Sequence, residues 1–157
     1  MIKALVAIDE KRGMANEHGI PWQGKIPTDN KYYHDSISTG TLIMGYGMYV
    51  EVSKPYPGGT NYVATNSDEP LREGFAAVKD ARKFLQEATD DVWNLGGPGL
   101  IASTLDLIDE LYITQLEGDF NCTKFLPEYE QDFEKVSESE PVTENDITYR
   151  FTVWHRK

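Results

Sequence analysis

The carboxylate of Asp29 is the first candidate for chemistry, because a loop rich in proline and aromatic residues leads directly to it. Segment 20–29 reads Ile-Pro-Trp-Gln-Gly-Lys-Ile-Pro-Thr-Asp and ends at the start of a predicted helix. A carboxylate packed against Trp22, Tyr33 and the apolar segment 5–7 loses hydration, so its pKa rises and it can exchange protons near neutrality. It can also pair with the amidine-like edge of a heterocycle. The alternative is that Asp29 only complements the positive amino end of its helix, which helix statistics alone favour about three to one.

A glycine-rich turn is the second candidate, and its chemistry is anion binding. Segment 95–99 reads Leu-Gly-Gly-Pro-Gly between a predicted strand and a predicted helix. Glycines at such a junction let backbone N–H groups approach a diphosphate, and the helix dipole favours its negative charge. The same residues also build an ordinary strand-to-helix corner with proline at the first helical position. The motif alone does not separate these two interpretations.

Other catalytic chemistries lack their residues. His18, His34 and His155 are too far apart in sequence to indicate a metal site, and the single cysteine, Cys122, has no CxxC partner. Neither the G-x-S-x-G motif of serine hydrolases nor the phosphate-binding loop G-x-x-x-x-G-K-[ST] occurs. We therefore expect no metal site, no serine hydrolase and no phosphate-binding loop of this type.

The charge of the chain limits its partners. Its 157 residues include 15 Lys and Arg against 26 Asp and Glu, which gives a formal net charge of -11. Nucleic acids and anionic membranes would repel such a surface, so neither is an expected partner. No apolar run reaches the roughly twenty residues needed to cross a bilayer, and the amino terminus lacks a signal-peptide core. We expect one cytoplasmic domain over residues 1–157 that acts as a monomer.

Strands that alternate with helices must position these groups. Strands are predicted at 2–8, 41–45, 61–65, 91–95, 110–116, 133–139 and 148–155. Helices are predicted at 48–53, at 76–85, at 100–108, and from Thr28, as its cap, toward Gly40, as its end. Segments 14–27, 54–59 and 66–73 are interpreted as loops, and the acidic segment 138–144 as exposed loop. This order predicts an α/β fold with a mainly parallel sheet and a closing antiparallel hairpin at one edge.

The order and spacing of short motifs resemble the dihydrofolate reductase family along nearly the whole chain. Segment 5–9 resembles the first strand of that family, Gly13-Met14-Ala15 with segment 20–22 resembles its mobile active-site loop, and segment 26–29 resembles its Leu-Pro-x-Asp/Glu motif. Segments 43–45, 55–58, 95–97 and 111–114 then follow in the order of the family. Each fragment is short, but their joint order is specific.

The resemblance implies a three-layer fold of the dihydrofolate reductase type, with helices on both faces of the sheet. It implies the reduction of 7,8-dihydrofolate to tetrahydrofolate by NADPH, with hydride passing to C6 and a proton to N5. In this reading Asp29 binds the pterin 2-amino group and N3 and promotes protonation of N5. Thr114 shares its hydrogen-bond network, and Trp22 holds an ordered water.

Three groups of binding residues follow from the same resemblance. The substrate rings would lie against Leu5, Val6, Ala7, Tyr33, Val52 and Tyr56. The nicotinamide would be surrounded by Ala7, Met14, Ile20, Leu95 and Gly97. The diphosphate would be held by Gly96, Gly97, Pro98, Gly99, Leu100 and Ile101.

Two arginines of the family pattern are absent. The family's Gly-Arg-x-Thr, whose arginine helps to hold the adenosine 2′-phosphate, reads Gly45-Tyr46-Gly47-Met48 in this chain. Thr65 and Asn66 can still form hydrogen bonds there, and NADH becomes the alternative cofactor. The family's Pro-x-Pro-Gly-Arg ends in Gly59, so the arginine that clamps the α-carboxylate of the substrate is absent. Lys54 is the candidate replacement, as a mobile point charge instead of a bidentate fork.

Two other functions stay open. One is a related NAD(P)H-dependent reductase that acts on another pterin or on a riboflavin-pathway pyrimidine, which the absence of an arginine at Gly59 permits. The other is a nucleotide-binding descendant without turnover, since Tyr46, Met48 and Gly59 also fit the loss of a function. The presence of Asp29 together with Trp22 and Thr114 favours catalysis over binding alone by about four to one.

Overall fold

The computed structural model describes residues 1–38 and 40–157. Its strands are β1 (Ile2–Ile8), β2 (Gly13–Ala15), β3 (Gly40–Gly45), β4 (Gly59–Ala64), β5 (Phe75–Val78), β6 (Val92–Asn94), β7 (Glu110–Leu116), β8 (Lys124–Phe125), β9 (Phe133–Glu138), β10 (Val142–Glu144) and β11 (Ile147–Arg156). Its helices are α1 (Pro27–Ser36), α2 (Tyr46–Glu51), α3 (Ala81–Glu87) and α4 (Pro98–Thr104), and a 3₁₀ turn (Leu105–Leu107) follows α4. None of the described helices is long and apolar enough to cross a membrane.

One large sheet organises the chain in the order β10-β11-β7-β1-β6-β3-β4-β5, and β9 also pairs with β11. Neighbouring strands from β7 through β5 run parallel, whereas β11 runs antiparallel to β7, β9 and β10. The strands β2 and β8 form a separate antiparallel pair. The prediction of a mainly parallel sheet with an antiparallel carboxy-terminal edge is confirmed.

Side chains of β1 alternate between two cores, as the two-residue repeat of a strand requires. Ala4, Val6 and Ile8 join a cluster that includes Leu85 of α3 and Ile101 of α4. Leu5 joins the opposite cluster, which Tyr33 of α1 and Tyr49 of α2 cover. Helices therefore lie on both faces of the sheet, as expected for a strand buried on both sides.

The sheet opens beside the second half of β1 because β6 is short. Val92, Trp93 and Asn94 pair with Ile2–Ala4, and among the described residues β1 has no strand partner on this side beyond Ala4. The chain after β6 instead follows β3, since the Leu95 amide donates to the Ile43 carbonyl at 2.9 Å. A gap therefore forms at the carboxyl ends of β1 and β6, which is where ligands bind in open α/β sheets.

The predicted helix at 76–85 is wrong in its first part and confirmed for residues 81–85, which belong to α3. Phe75–Val78 is instead the strand β5, which pairs parallel with Asn61–Ala64 of β4. The alanines of this segment favour a helix locally, but pairing with the edge of β4 overrides that propensity. The helix begins at Ala81, where the Asp80 side chain caps it by accepting from the Lys83 amide at 3.0 Å.

The start and end predicted for α1 are also wrong. Ile26 occupies the N-cap position without a side-chain hydrogen bond, and Thr28 is a helical residue. The helix ends at Ser36, and Gly40 opens β3. Thr28 does not cap α1 because its amide and hydroxyl both donate to Glu144, a residue from the other end of the chain.

Three other segments differ from their predicted form. Residues 142–144 form β10 instead of exposed loop, because they pair with β11. Gly13–Ala15 pairs with Lys124–Phe125, so the segment interpreted as the loop 14–27 begins in a strand. The second helix covers Tyr46–Glu51 instead of 48–53, and the fourth ends at Thr104 and continues as a 3₁₀ turn.

The turn before β4 is closed to side chains. A Cβ atom on Gly58 would lie 1.7 Å from the Ser38 carbonyl oxygen, and one on Gly59 would lie 1.9 Å from the Gly40 carbonyl oxygen. Both distances are shorter than any non-bonded contact, so the backbone would have to move. The position of the absent arginine is therefore also a position where this backbone accepts glycine alone.

We predict that Gly59→Ala lowers the free energy of unfolding by about 2 kcal/mol or more, because the new methyl group displaces the backbone at Gly40. The matched control is Gly47→Ala, since no atom lies within 4 Å of the Cβ position at Gly47. Urea unfolding of both variants measures the difference. Equal stability of Gly59→Ala and the wild-type chain would contradict the packing described at this turn.

Candidate active site

A cleft of about 940 Å³ opens at the gap beside β1. It is lined by residues of β1, the loop that follows β2, α1, α2, the segment 53–57, the start of α4 and Thr114 of β7. The sequence-predicted residues that line it are Leu5, Val6, Ala7, Met14, Ile20, Trp22, Asp29, Tyr33, Gly45, Tyr46, Gly47, Met48, Val52, Lys54, Tyr56, Leu95, Gly97, Pro98, Gly99, Leu100 and Thr114. The cleft lining does not include Thr65, Asn66, Gly96 or Ile101.

Asp29 lies in the first turn of α1 and faces Thr114 across the cleft floor. The Thr114 hydroxyl donates to Asp29 Oδ1 at 2.6 Å. Burial raises the pKa of Asp29, the hydrogen bond from Thr114 opposes this rise, and the negative charge of Glu144 adds to it. Because burial is the largest of the three effects, the carboxyl holds its proton to a higher pH than an exposed aspartate.

Strand register places Thr114 under Asp29. Thr114 pairs with Ala7 of β1 on one side and with Phe151 of β11 on the other. It is almost fully buried, so its hydroxyl needs a partner within the protein. The Asp29 carboxylate supplies that partner, and the two residues fix each other.

Trp22 packs the cleft-lining loop onto the core. Its side chain is 3% exposed and lies edge-on to Phe120 with 5.3 Å between ring centroids. It joins a cluster with Ile26, Leu116 and Tyr149, which are close to both Asp29 and the end of β7. The indole therefore holds the loop between β2 and α1 close to the candidate acid.

Two tyrosines, Tyr33 of α1 and Tyr56 of the segment 53–57, form another part of the cleft wall. The rings of Tyr33 and Tyr56 lie 5.9 Å apart, and burial raises the pKa of both hydroxyls. Within residues 1–38 and 40–157, Tyr33 Oη is buried with no partner in good hydrogen-bond geometry, and the Tyr56 hydroxyl is the polar group that faces it. A buried hydroxyl without a partner is costly, so this oxygen is available to a ligand or an ordered water in the cleft.

The buried side chain of Asn94 supports the glycine turn through hydrogen bonds, and the sequence patterns missed this residue. Its side-chain oxygen accepts from the Gly96 amide at 3.0 Å, and its nitrogen donates to Thr104 at 3.0 Å. Gly96 and Ile101 are buried beneath the cleft wall. Gly97, like Gly99, has open space where a side chain would stand, so a ligand can approach the backbone closely.

The cleft wall is poor in positive charge. Its lysines are Lys54 and Lys124, and its carboxylates are Glu17, Asp29 and Glu51. The segments 45–48 and 95–100 contain no lysine or arginine. No group of three or more His, Cys, Asp or Glu side chains that could hold a metal ion occurs in the described part of the chain.

Glu144 is a second residue beside the candidate site that the sequence patterns missed. Its carboxylate contacts Thr28, the neighbour of Asp29, and accepts a hydrogen bond from the Tyr149 hydroxyl. No local pattern marks it, because the contact joins residues 116 positions apart. An acidic run with alternating polar residues is typical of an exposed loop, and only the pairing of β10 with β11 brings it back to α1.

Comparison with known proteins identifies the relatives of this chain. The family model described as "Dihydrofolate reductase" matches residues 1–156. A dihydrofolate reductase of Staphylococcus aureus is 31% identical over 156 residues, which cover 98% of this chain and 96% of the relative. A dihydrofolate reductase of Bacillus subtilis is 25% identical and covers 100% of this chain and 95% of its own length.

The fold of this chain is also similar to a solved structure. The dihydrofolate reductase from Enterococcus faecalis, complexed with NADP(H) and RAB-propyl, superposes with a TM-score of 0.86 at 23% identity. The match covers 100% of this chain and 96% of that one. The predicted fold class is therefore confirmed.

We predict that Asp29→Asn raises the melting temperature at pH 8, because a neutral amide replaces a partly buried charge and keeps an acceptor for Thr114. The pKa of Asp29 is higher in the folded than in the unfolded chain, so the wild-type protein gains stability as the pH falls through the folded value. The gain is complete below the unfolded value, and the difference in melting temperature between the two proteins should therefore shrink as the pH falls from 8 toward that value. Thermal unfolding followed by circular dichroism measures it.

Asp106→Asn is the matched control, because the pKa of Asp106 is lowered in the folded protein whereas that of Asp29 is raised. Arg82 donates two hydrogen bonds of 2.8 Å to Asp106 and lowers the pKa of that carboxyl to about 2. Loss of this exposed ion pair should leave the melting temperature unchanged or slightly lower at pH 8. A lower melting temperature for Asp29→Asn at pH 8 would contradict the burial described for Asp29.

Proposed function

The chain belongs to the dihydrofolate reductase family and is an oxidoreductase, and we propose that it reduces 7,8-dihydrofolate to 5,6,7,8-tetrahydrofolate with NADPH. The observation that carries this proposal is the partly buried carboxylate of Asp29, bonded to Thr114 in a cleft beside open glycine backbone. This reaction would supply tetrahydrofolate for one-carbon metabolism. We further propose that residues 1–157 form one domain that acts as a cytoplasmic monomer, a view that the family match over residues 1–156 supports for the domain.

Asp29 has the geometry to recognise and protonate a pterin. Thr114 occupies one lone pair of Oδ1, and Oδ2 accepts no hydrogen bond from the described residues. The two oxygens can accept from the 2-amino group and N3 of a pterin, which form the planar pair of donors that a carboxylate matches. Because burial raises its pKa, Asp29 can favour the protonated state of the bound ring and so promote protonation at N5.

Apolar and aromatic residues would exclude water from the reacting ring. The rings of the substrate would lie against Leu5, Val6, Ala7, Tyr33, Val52 and Tyr56. The unpartnered hydroxyl of Tyr33 supports a ligand hydrogen bond on this side. Trp22 would hold an ordered water near Asp29 from its place in the loop. Exclusion of bulk water strengthens each of these polar contacts.

The other half of the cleft fits a nicotinamide nucleotide. Bound NADPH supplies the hydride that C6 of the pterin receives. Around the nicotinamide we place Ala7, Met14, Ile20, Leu95 and Gly97. The backbone from Gly97 to Leu100 would contact the diphosphate, since the open space at Gly97 and Gly99 permits close approach. Gly96 and Ile101 would support this backbone from the core.

The adenosine end of the nucleotide would meet neutral side chains. Tyr46 is 44% exposed and lies between Gly45 and Gly47 at the start of α2, followed by Met48. Thr65 and Asn66 remain candidate hydrogen-bond partners beyond the cleft lining. Because a phosphate dianion is held best by charged donors, we propose that NADPH and NADH are used with similar efficiency.

A second candidate function is the reduction of a dihydropterin that lacks a glutamate tail. Gly59 cannot carry an anchoring side chain, since its Cβ position overlaps the Gly40 carbonyl oxygen. Lys54 is the lysine that lines this part of the cleft, and a single ammonium group is a weaker carboxylate anchor than arginine. The tail of dihydrofolate would therefore contribute less to binding than a bidentate clamp does.

The first test is the oxidation of NADPH by the purified chain with and without dihydrofolate. We expect oxidation only with dihydrofolate, and we expect Asp29→Asn to lower kcat at pH 7 by about 100-fold or more, the usual contribution of a positioned acid. Asp106→Asn is the control, because that carboxylate pairs with Arg82 outside the cleft.

Three results would contradict the proposal in different ways. No folate-dependent oxidation of either nucleotide overturns it, and calorimetric binding of NADPH without oxidation would indicate a binding protein. Equal kcat/KM for dihydrofolate and a glutamate-free dihydropterin would favour the second candidate. If the glutamate tail instead raises kcat/KM, Lys54→Ala should remove most of that gain.

The cofactor proposal makes its own prediction. Tyr46→Arg should raise the ratio of kcat/KM for NADPH to that for NADH by about 10-fold, the effect of one charged hydrogen bond. The matched control is Val50→Arg, which adds the same charge to α2 at a side chain that is 59% exposed and not part of the cleft lining. Equal changes in both variants would mean that net charge, and not the position of Tyr46, sets the preference.

A further inference from the structure

Glu144 ends β10 and lies against the amino end of α1. The Thr28 amide donates to Glu144 Oε1 at 3.0 Å, and the Thr28 hydroxyl donates to Oε2 at 2.7 Å. The Tyr149 hydroxyl of β11 also donates to Oε1. Three donors converge on one carboxylate, and together they lower the pKa of Glu144 and keep it ionised at neutral pH.

These contacts replace the missing cap of α1. The residue at its N-cap position, Ile26, has no side chain that could accept a hydrogen bond. Helix starts leave backbone N–H groups without partners, and Glu144 accepts from one of them at Thr28. Thr28 directly precedes Asp29, and the Tyr149 hydroxyl also faces the backbone of Asp29. Glu144 therefore fixes the turn of helix that carries the candidate acid.

Glu144 is also the charged group that raises the pKa of Asp29. The tyrosines that interact with the charge of Asp29 are Tyr32 and Tyr33 on α1 and Tyr149 on β11, and burial raises the pKa of all three, so they are neutral at physiological pH. Thr114 of β7 and Trp22 of the preceding loop carry no ionisable group. The other titratable side chains of these elements are Lys31, His34 and Asp35 on α1 and Glu17, His18 and Lys25 in the loop.

We propose that Glu144 is a positioning residue, whose ionised carboxylate fixes the amino end of α1 and sets the charge environment of Asp29. Its part in the reaction rests on the proposed reductase function, but its effect on the titration of Asp29 does not. A negative charge close to an acid disfavours ionisation of that acid, so Glu144 keeps Asp29 protonated to a higher pH. Glu144, at the carboxy-terminal edge of the sheet, thus affects Asp29 both by its charge and by its contacts with the first turn of α1.

The test is Glu144→Gln, which keeps the size of the side chain and an acceptor for the Thr28 amide but removes the charge. The titration of Asp29 is followed by carbon-13 NMR, with the signal assigned by its loss in Asp29→Asn. We expect the midpoint to move to lower pH by about 0.2–0.7 units, the size expected for a partly exposed charge pair. The descending limb of the pH profile of kcat should move in the same direction.

Asp146→Asn is the matched control. Asp146 is an exposed residue two positions away in the β10–β11 turn, and it also loses one charge. Its backbone φ of 65° is one that asparagine adopts readily. The control should leave the midpoint of Asp29 nearly unchanged. An unchanged midpoint in Glu144→Gln, or an equal shift in Asp146→Asn, would overturn the proposal.

Two further measurements keep the test decisive. If Glu144→Gln fails to fold, the wild-type midpoint is compared at low and high salt, where screening of Glu144 should lower it and an unchanged value would overturn the proposal. Thr28→Val removes one anchor but keeps the charge, so it should lower the melting temperature with little change in the midpoint. The NMR titration needs no turnover, so absence of dihydrofolate reduction would count against the proposed function alone.

Discussion

The hydrogen bond from Thr114 to Asp29 is the contact on which the active-site geometry depends. It joins the middle of β7 to the first turn of α1 at 2.6 Å, across the floor of the cleft. The strand side is fixed by the pairing of Thr114 with Ala7 and Phe151, and a shift of one residue would turn its hydroxyl to the other face. The helix side is fixed from outside, because Glu144 holds Thr28. The two sides come from opposite ends of the sequence and meet only in the folded sheet.

The negative net charge of the protein opposes the binding of anionic ligands at this site. A chain with a net charge of -11 would bind two anionic ligands in a cleft whose segments 45–48 and 95–100 hold no lysine or arginine. Open backbone at Gly97 and Gly99, together with neutral hydroxyls, offers hydrogen bonds without opposing charge. The net charge disfavours long-range attraction to polyanions, but small anions can still be bound by local donors. The binding energy of such a site depends on close fit more than on long-range attraction.

The parts of the fold that follow a local pattern could be predicted from the sequence. The strands β1 and β7 have the predicted limits, because short segments rich in apolar and β-branched residues identify strands that are largely buried. The loop before Asp29 predicts an acid that packing removes from water, and in the structure Asp29 is partly buried beside Thr114, which raises its pKa. The other predicted site residues follow from the family resemblance. Most of them line the cleft, whereas Thr65, Asn66, Gly96 and Ile101 do not.

The features that depend on distant contacts could not be predicted in this way. Phe75–Val78 has helix-forming alanines, and only the open edge of β4 makes it a strand. Glu144 and Asn94 act through partners that are close in space and unmarked in sequence. The requirement for glycine at position 59 could not be predicted either. A Cβ atom there would overlap the Gly40 carbonyl oxygen only because the first residues of β3 and β4 lie side by side.

The central claim is that the ionisation of Asp29 controls the proton step of the reaction. The most direct measurement is the pH dependence of the hydride-transfer rate in a single turnover, for the wild-type chain and for Asp29→Asn. We expect the wild-type rate to fall as the pH rises through the raised pKa of Asp29, whereas the variant should be slow and nearly independent of pH. A variant that keeps the wild-type midpoint would show that another group controls protonation, and would contradict the account.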